Sequence, residues 1–282
     1  MIPGTGKFRY RVVEDWGRDA QGPAWGLISG VAVDSHDRVY LFNRTGRPAV
    51  FAYDREGRFL TAWGDGVYKI PHGILIDDKD QVYLTDLEHF VHFTTLQGSV
   101  LKTLGTPGLP GAPGMPFNKP TAVALAPSGD IYVSDGYGQS RIHHFAPDGA
   151  LLHSWGEAGT GPGQFNLPHS IAVDGRSRVF VTDRENNRIQ IFDAKGAFLS
   201  QWPDLAWPMH VHIAGDIVYV AEGHQRVSIF SLDGELLARW GEKGTAPGQF
   251  TDWPHWICPD SRGDLYISAI TEGNLLQKFE RI

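Results

Sequence analysis

The chain has 282 residues and a formal net charge of −7, with 41% hydrophobic and 20% charged residues. That suits a water-soluble globular chain with a sizeable core, and it argues against the basic surface that a nucleic-acid groove requires, without excluding a local basic site. No run of 18 apolar residues is present to span a membrane, and the single cysteine, Cys258, excludes an internal disulfide and a thiolate metal cluster.

The opening MIPGTGKFRYRVVEDWG lacks the apolar stretch of a secretion signal. Together with the single cysteine this predicts a cytoplasmic chain. Helical periodicity is nearly absent. Six short apolar runs recur instead: VYLFN, VYLTD, IYVSD, VFVTD, VYVAE and LYISA. They read as the same strand, repeated. The segment IAVDGRSRVFVTDRENNRIQIFDAKGAFLSQW shows the full unit. An apolar strand, a turn and a strand ending in Asp lead to a third strand, a DxxG turn and a fourth strand ending in Trp.

In chain order the units fall at 25–64, 68–105, 117–156, 165–202, 206–241 and 253–282. Six units over 282 residues is 47 apiece, within the period of a four-stranded propeller blade. The predicted fold is therefore all-β, a single six-bladed β-propeller over 1–282. The last unit stops after its third strand, and residues 10–17, YRVVEDWG, resemble the fourth strands LLHSWG and LLARWG. They are expected to complete the last blade and close the ring. The glycine clusters GTGPGQF and GTAPGQF are connectors between blades, not phosphate loops.

Aligning the units turns the repeat into columns. First strands begin at Ile28-Ser29, Pro71-His72, Pro120-Thr121, Pro168-His169, Pro208-Met209 and Pro254-His255. The second members place His72, His169 and His255 in blades two, four and six. Alternate blades are about 120° apart in a closed six-bladed ring, and first strands line its axis. Three imidazoles would converge there, a trigonal face that leaves a metal one open position. Zinc is the expected ion; iron, cobalt or nickel would suit the same nitrogen ligands. A second column, just past the second strand, holds Arg44 and Arg184 in the opposed blades one and four. An arginine fork suits a carboxylate, so a small anionic substrate is expected. Tyr137 follows Asp135-Gly136 in the same loop of blade three. Positive neighbours favour a phenolate, which makes Tyr137 a candidate general base. Met209 and Trp253 are candidate substrate contacts, and Trp207 and Trp256 flank the same strand starts. His210 and His212 are out of phase with the ligand column, and His143, His144 and His153 lie in outer strands, where structural roles prevail. His89, His92 and His224 receive no role. The sequence leaves the oligomeric state open.

Three segments, IPHGILIDDKDQVYLTD, KPTAVALAPSGDIYVSDGYGQSRI and FNLPHSIAVDGRSRVFVTDRENNRIQIF, resemble the catalytic core of peptidyl-α-hydroxyglycine α-amidating lyase, an NHL-repeat propeller family. The resemblance covers essentially all six blades and is strongest over 70–195. It implies a three-histidine zinc site at His72, His169 and His255, a catalytic tyrosine at Tyr137 and active-site arginines at Arg44 and Arg184. It also implies cleavage of an N-acyl-α-hydroxyglycine into an amide and glyoxylate without a redox cofactor. Departures are plain. Trp256 stands where the family has an aspartate that helps hold a structural calcium, which leaves that ion without the ligand. Gly138 stands where a disulfide cysteine would be. Blade five has no close counterpart, so a small carbinolamide such as ureidoglycolate is as well suited as a peptide. Two other functions share these residues: a zinc hydrolase or hydratase of a small carboxylate, and a non-catalytic NHL interaction module.

Overall fold

The computed structural model describes residues 2–18, 22–270 and 275–282. Among them there is no α-helix, only the three-residue 3-10 turn Arg184–Asn186, and no helix is long and apolar enough to cross a membrane. Five four-stranded sheets follow one another in chain order, each antiparallel with its strands in sequence. The sixth joins both ends of the chain, with Phe8–Val13 lying beside Leu276–Arg281, Leu265–Ala269 and Pro254–Pro259. The six-bladed ring is thus closed by the N-terminal strand, as the repeat implied.

The closing strand runs over Phe8–Val13, two residues earlier than the expected start at residue 10, and ends before Glu14. Its alternation explains the shift. Phe8 and Tyr10 point inward at 2% and 0% exposure while Arg9 and Arg11 point out, and Tyr10 pairs with Arg281. Residues 14–17 are turn. The match of Trp16 to the other strand-ending tryptophans still holds in space. In four blades the indole covers the glycine turn that precedes the fourth strand of the next blade: Trp16 over Gly57, Trp63 over Gly98, Trp155 over Gly196 and Trp202 over Gly234. Each glycine has a left-handed φ, between 82 and 92°, and a Cβ there would lie within 3.1 Å of the ring. This clasp accounts for both the Trp and the Gly of the repeat.

First to third strands are buried nearly throughout, whereas fourth strands such as Phe198–Trp202 are mostly exposed. The core lies between blades, in clusters such as Phe180, Ile189, Val211 and Val220. The second-strand acid also has a structural role. Asp86, Asp135, Asp183 and Glu222 accept backbone N–H groups of Ile70, Asn118, Asn166 and Ala206, and Asn43 does the same for Gly26. Each carboxylate or amide holds down the segment that leads into its own blade's first strand. That segment and the loop after the second strand therefore share one face of the ring.

Candidate metal centre on the propeller axis

In blades one, two, four, five and six the first strand opens with a register shift, for example between Pro168 and Ser170. A bulge re-aims side chains and is common beside active sites. The residues inside it are Ser29, His72 with Gly73, His169, Met209 and His255. The three imidazoles meet at the axis with ring centroids 4.8, 5.0 and 5.1 Å apart. One nitrogen from each lies within 4.8 Å of the others, and all three residues are buried.

Their outer nitrogens follow one rule. Nδ1 of His72 donates to the Thr121 carbonyl at 2.8 Å, that of His169 to Met209 at 2.7 Å and that of His255 to Ser29 at 2.6 Å. Each acceptor is the same-column residue of the next blade. The non-histidine members of the column therefore orient the histidines. This fixes the tautomer with Nδ1–H outward and the Nε2 lone pair inward, as metal-ligating histidines require. Nε2 of His72 and of His255 is buried without a partner among the described residues, a cost that a bound cation would remove. Burial, then the Arg44 charge, pulls the His255 pKa down to about 3. Burial, with the neighbouring positive groups, also drives His72 and His169 well below the ordinary histidine value. The donor set is neutral, nitrogen-only and trigonal, which fits a borderline divalent ion such as zinc.

Tyr137 comes to the trio from blade three. Its hydroxyl lies 3.2 Å from His169 Nε2 and receives a hydrogen bond from Arg184 Nη1, also at 3.2 Å. The two arginines differ. Arg184 is paired with Glu185, donating from Nε at 3.0 Å and from Nη2 at 2.7 Å. Arg44 donates from Nε to the Pro71 carbonyl, and its Nη2 is buried without a partner among the described residues. Burial weakens the hold of Arg44 on its proton, opposed by Tyr137 and Asp86. Arg44 is the cation with free capacity; Arg184 is committed. Trp253 is 37% exposed and stands edge-on to Trp207 at 5.1 Å. Met209 is buried, with Sδ 4.0 Å from Arg184 Nη1 and its carbonyl on His169.

Trp256, although it follows His255 at a strand start, does not line the entrance. It is 3% exposed and lies across the axis beneath the histidines, stacked on His210 at 3.8 Å. The ring crosses to blade two because residue 73 is glycine: a Cβ there would meet the indole at 2.8 Å and the Thr121 carbonyl at 2.5 Å. Gly73→Ala is expected to destabilise the chain by about 1–3 kcal/mol through overpacking and to weaken metal retention, read by urea denaturation and metal content. His210 takes the Ile257 N–H on Nδ1 at 3.3 Å, so it braces Trp256 outside the trio. Five contributions had no signal in the column reading: the carbonyls of Ser29, Thr121 and Met209 as acceptors for the histidines, the Trp256 floor and Glu185. The acid immediately after Arg184 was the one available signal for Glu185.

The NHL repeat family matches residues 117–145 and 165–192. NHL repeat-containing protein 3 of Homo sapiens is 36% identical over 70% of this chain and 61% of its own length. A probable peptidyl-alpha-hydroxyglycine alpha-amidating lyase of Caenorhabditis elegans is 32% identical over 60% of this chain and 56% of its own. The chain thus spans a little over half the length of these two relatives. The streptogramin B lyase structure superposes with a TM-score of 0.66 over 96% of this chain and 97% of that one, at 14% identity, a likeness of fold alone. By its repeats and these relatives, the chain belongs to the NHL-repeat propellers related to the peptidyl-alpha-hydroxyglycine alpha-amidating lyases.

Proposed function

We propose that the chain is a metal-dependent carbon–nitrogen lyase, with zinc as the ion, which cleaves an N-acyl-α-hydroxyglycine or a related small carbinolamide to an amide and glyoxylate. The observation that carries this is the buried trio of inward Nε2 atoms, two of them without a partner, beside one phenol and one arginine with a free nitrogen. His72, His169 and His255 would hold the ion, which when bound supplies Lewis acidity to the substrate hydroxyl. Arg44 offers its free Nη2 to the glycine-derived carboxylate. Tyr137 takes the hydroxyl proton as the carbon–oxygen double bond forms. The carbon–nitrogen bond breaks, its electron pair stays on nitrogen, and the proton held by Tyr137 passes to that nitrogen. The atoms balance with no oxidant or reductant. Arg184 keeps the phenol in place through its Nη1.

The first test is metal content per purified chain, on wild type and on His169→Ala, followed by glyoxylate release from N-acyl-α-hydroxyglycines and ureidoglycolate. About one zinc per chain, lost in the variant together with glyoxylate formation, is the expected result. A folded, metal-free wild type would sink the proposal. The human relative is named only for its repeats, and a metal-free result would favour the interaction-module reading.

A further inference from the structure

Glu185 is not part of the chemistry above, yet it joins two parts of the site. One carboxylate oxygen, Oε1, accepts both Nε and Nη2 of Arg184. The other, Oε2, accepts the indole N–H of Trp207 at 2.9 Å. The arginine is left with Nη1, the nitrogen that reaches Tyr137. Its guanidinium lies 4.8 Å from the Trp207 ring and 5.6 Å from the Tyr137 ring, held between them.

Trp207 is fixed from its backbone side as well. Its φ is +61°, a left-handed value that large side chains rarely adopt. Its N–H is donated to Asn187 Oδ1 at 2.9 Å and its carbonyl accepts from Gly223 at 2.8 Å. Blade five has Gly223 where blades one and four have Arg44 and Arg184. A Cβ at Gly223 would fall 2.9 Å from Trp207 and 3.0 Å from Met209. The indole thus fills the space that another side chain would take, and it presents an edge to Trp253, whose exposed ring completes an aromatic wall.

We propose that Glu185 is a positioning residue that locks Arg184 and Trp207 into one unit, and that the resulting Trp207–Trp253 wall selects substrates whose N-acyl group is aromatic. The substrate class rests on the lyase reading above; the wall does not. A ring on the acyl side finds a rigid aromatic partner there, whereas an acetyl group finds none, and such a contact together with the added apolar area is worth about tenfold in affinity. Losing the Glu185 carboxylate would free Arg184 to turn from Tyr137 and Trp207 to turn from Trp253.

The test compares N-benzoylglycine with N-acetylglycine by titration calorimetry on the purified full chain. Wild type is expected to bind the benzoyl compound about tenfold more tightly. Glu185→Gln should lose most of that ratio while its acetylglycine affinity moves less than about twofold. Trp207→Phe, which keeps a ring but cannot donate to Glu185, should lose most of the preference as Glu185→Gln does, and Trp207→Leu should lose it altogether, each with an unchanged melting temperature. In turnover of the corresponding α-hydroxy compounds, Glu185→Gln should raise KM for the benzoyl substrate alone and lower kcat for both, because the Arg184–Tyr137 contact is disturbed. Equal wild-type affinities, or an unchanged ratio and kcat in Glu185→Gln, would overturn the proposal. Wild type that binds with the expected ratio but releases no glyoxylate overturns the lyase reading and leaves the wall standing.

Discussion

Replacing Tyr137 by phenylalanine is expected to lower kcat for glyoxylate release by about 10²–10⁴-fold, the usual worth of a positioned general acid–base, with metal content and folding unchanged. The substitution removes one oxygen. That oxygen is the atom 3.2 Å from His169 Nε2 and the acceptor for Arg184 Nη1. Everything that holds the ring remains: its edge-on contact with His72 at 5.3 Å, its contact with His169 at 5.7 Å and the Arg184 guanidinium over its face. Tyr137 is 36% exposed, so little packing is at stake. KM should change little, because the carboxylate contact assigned to Arg44 is untouched. Steady-state glyoxylate assays beside metal analysis read both quantities. Full activity in the variant would mean that no phenol takes the proton, and the hydrolase or hydratase reading would then stand in place of the lyase.

That prediction rests on residues that column comparison could reach, and the reason is geometric. A repeat puts equivalent residues at equivalent places around an axis, so His72, His169 and His255 were bound to converge once the ring closed. The same comparison made Arg44 and Arg184 look alike. They are not, because the neighbour of one is Thr45 and of the other Glu185, and an adjacent carboxylate takes two donors from Arg184. Contacts between columns follow side-chain reach, which the repeat does not encode. The Trp207 indole on Glu185 and the Trp256 ring reaching Gly73 are both of this kind. The end of the closing strand was misplaced for a related reason. Trp16 keeps the inter-blade role of the other tryptophans, but it does so from a turn, so matching the tryptophan carried the strand past its true end at Val13.

The metal-free chain is expected to lose stability steeply between pH 6.5 and pH 5, and bound zinc should protect it. His72, His169, His210, His212 and His255 are all shifted down by burial, to about 4 for His212 and about 3 for His255. Unfolded, each takes a proton near its ordinary value of about 6.5. Between that value and its folded one, the unfolded chain binds more protons than the folded chain, so stability falls as pH falls. Above pH 6.5 both states are neutral at these groups and nothing is lost. Each imidazole contributes at most about 1.4 kcal/mol per pH unit within the window, so five set an upper bound of about 10 kcal/mol at pH 5, comparable to the whole stability of a typical domain. The buried carboxylates Asp86 and Asp183 are shifted up by burial and oppose this, but they are outnumbered by these five, with His92 and His153 also shifted down by burial, and they act from the carboxylate range upward. Zinc held by the proposed trio would occupy three of the five lone pairs and compete with protons for them, so the loaded chain should keep more of its stability at pH 5.5. Melting temperatures across pH 5–8, with and without zinc, read the effect. His169→Ala removes one buried imidazole, so its metal-free profile should be shallower than that of the wild type. A flat wild-type profile would mean that the trio is protonated in the folded chain, which a neutral trigonal metal face does not allow.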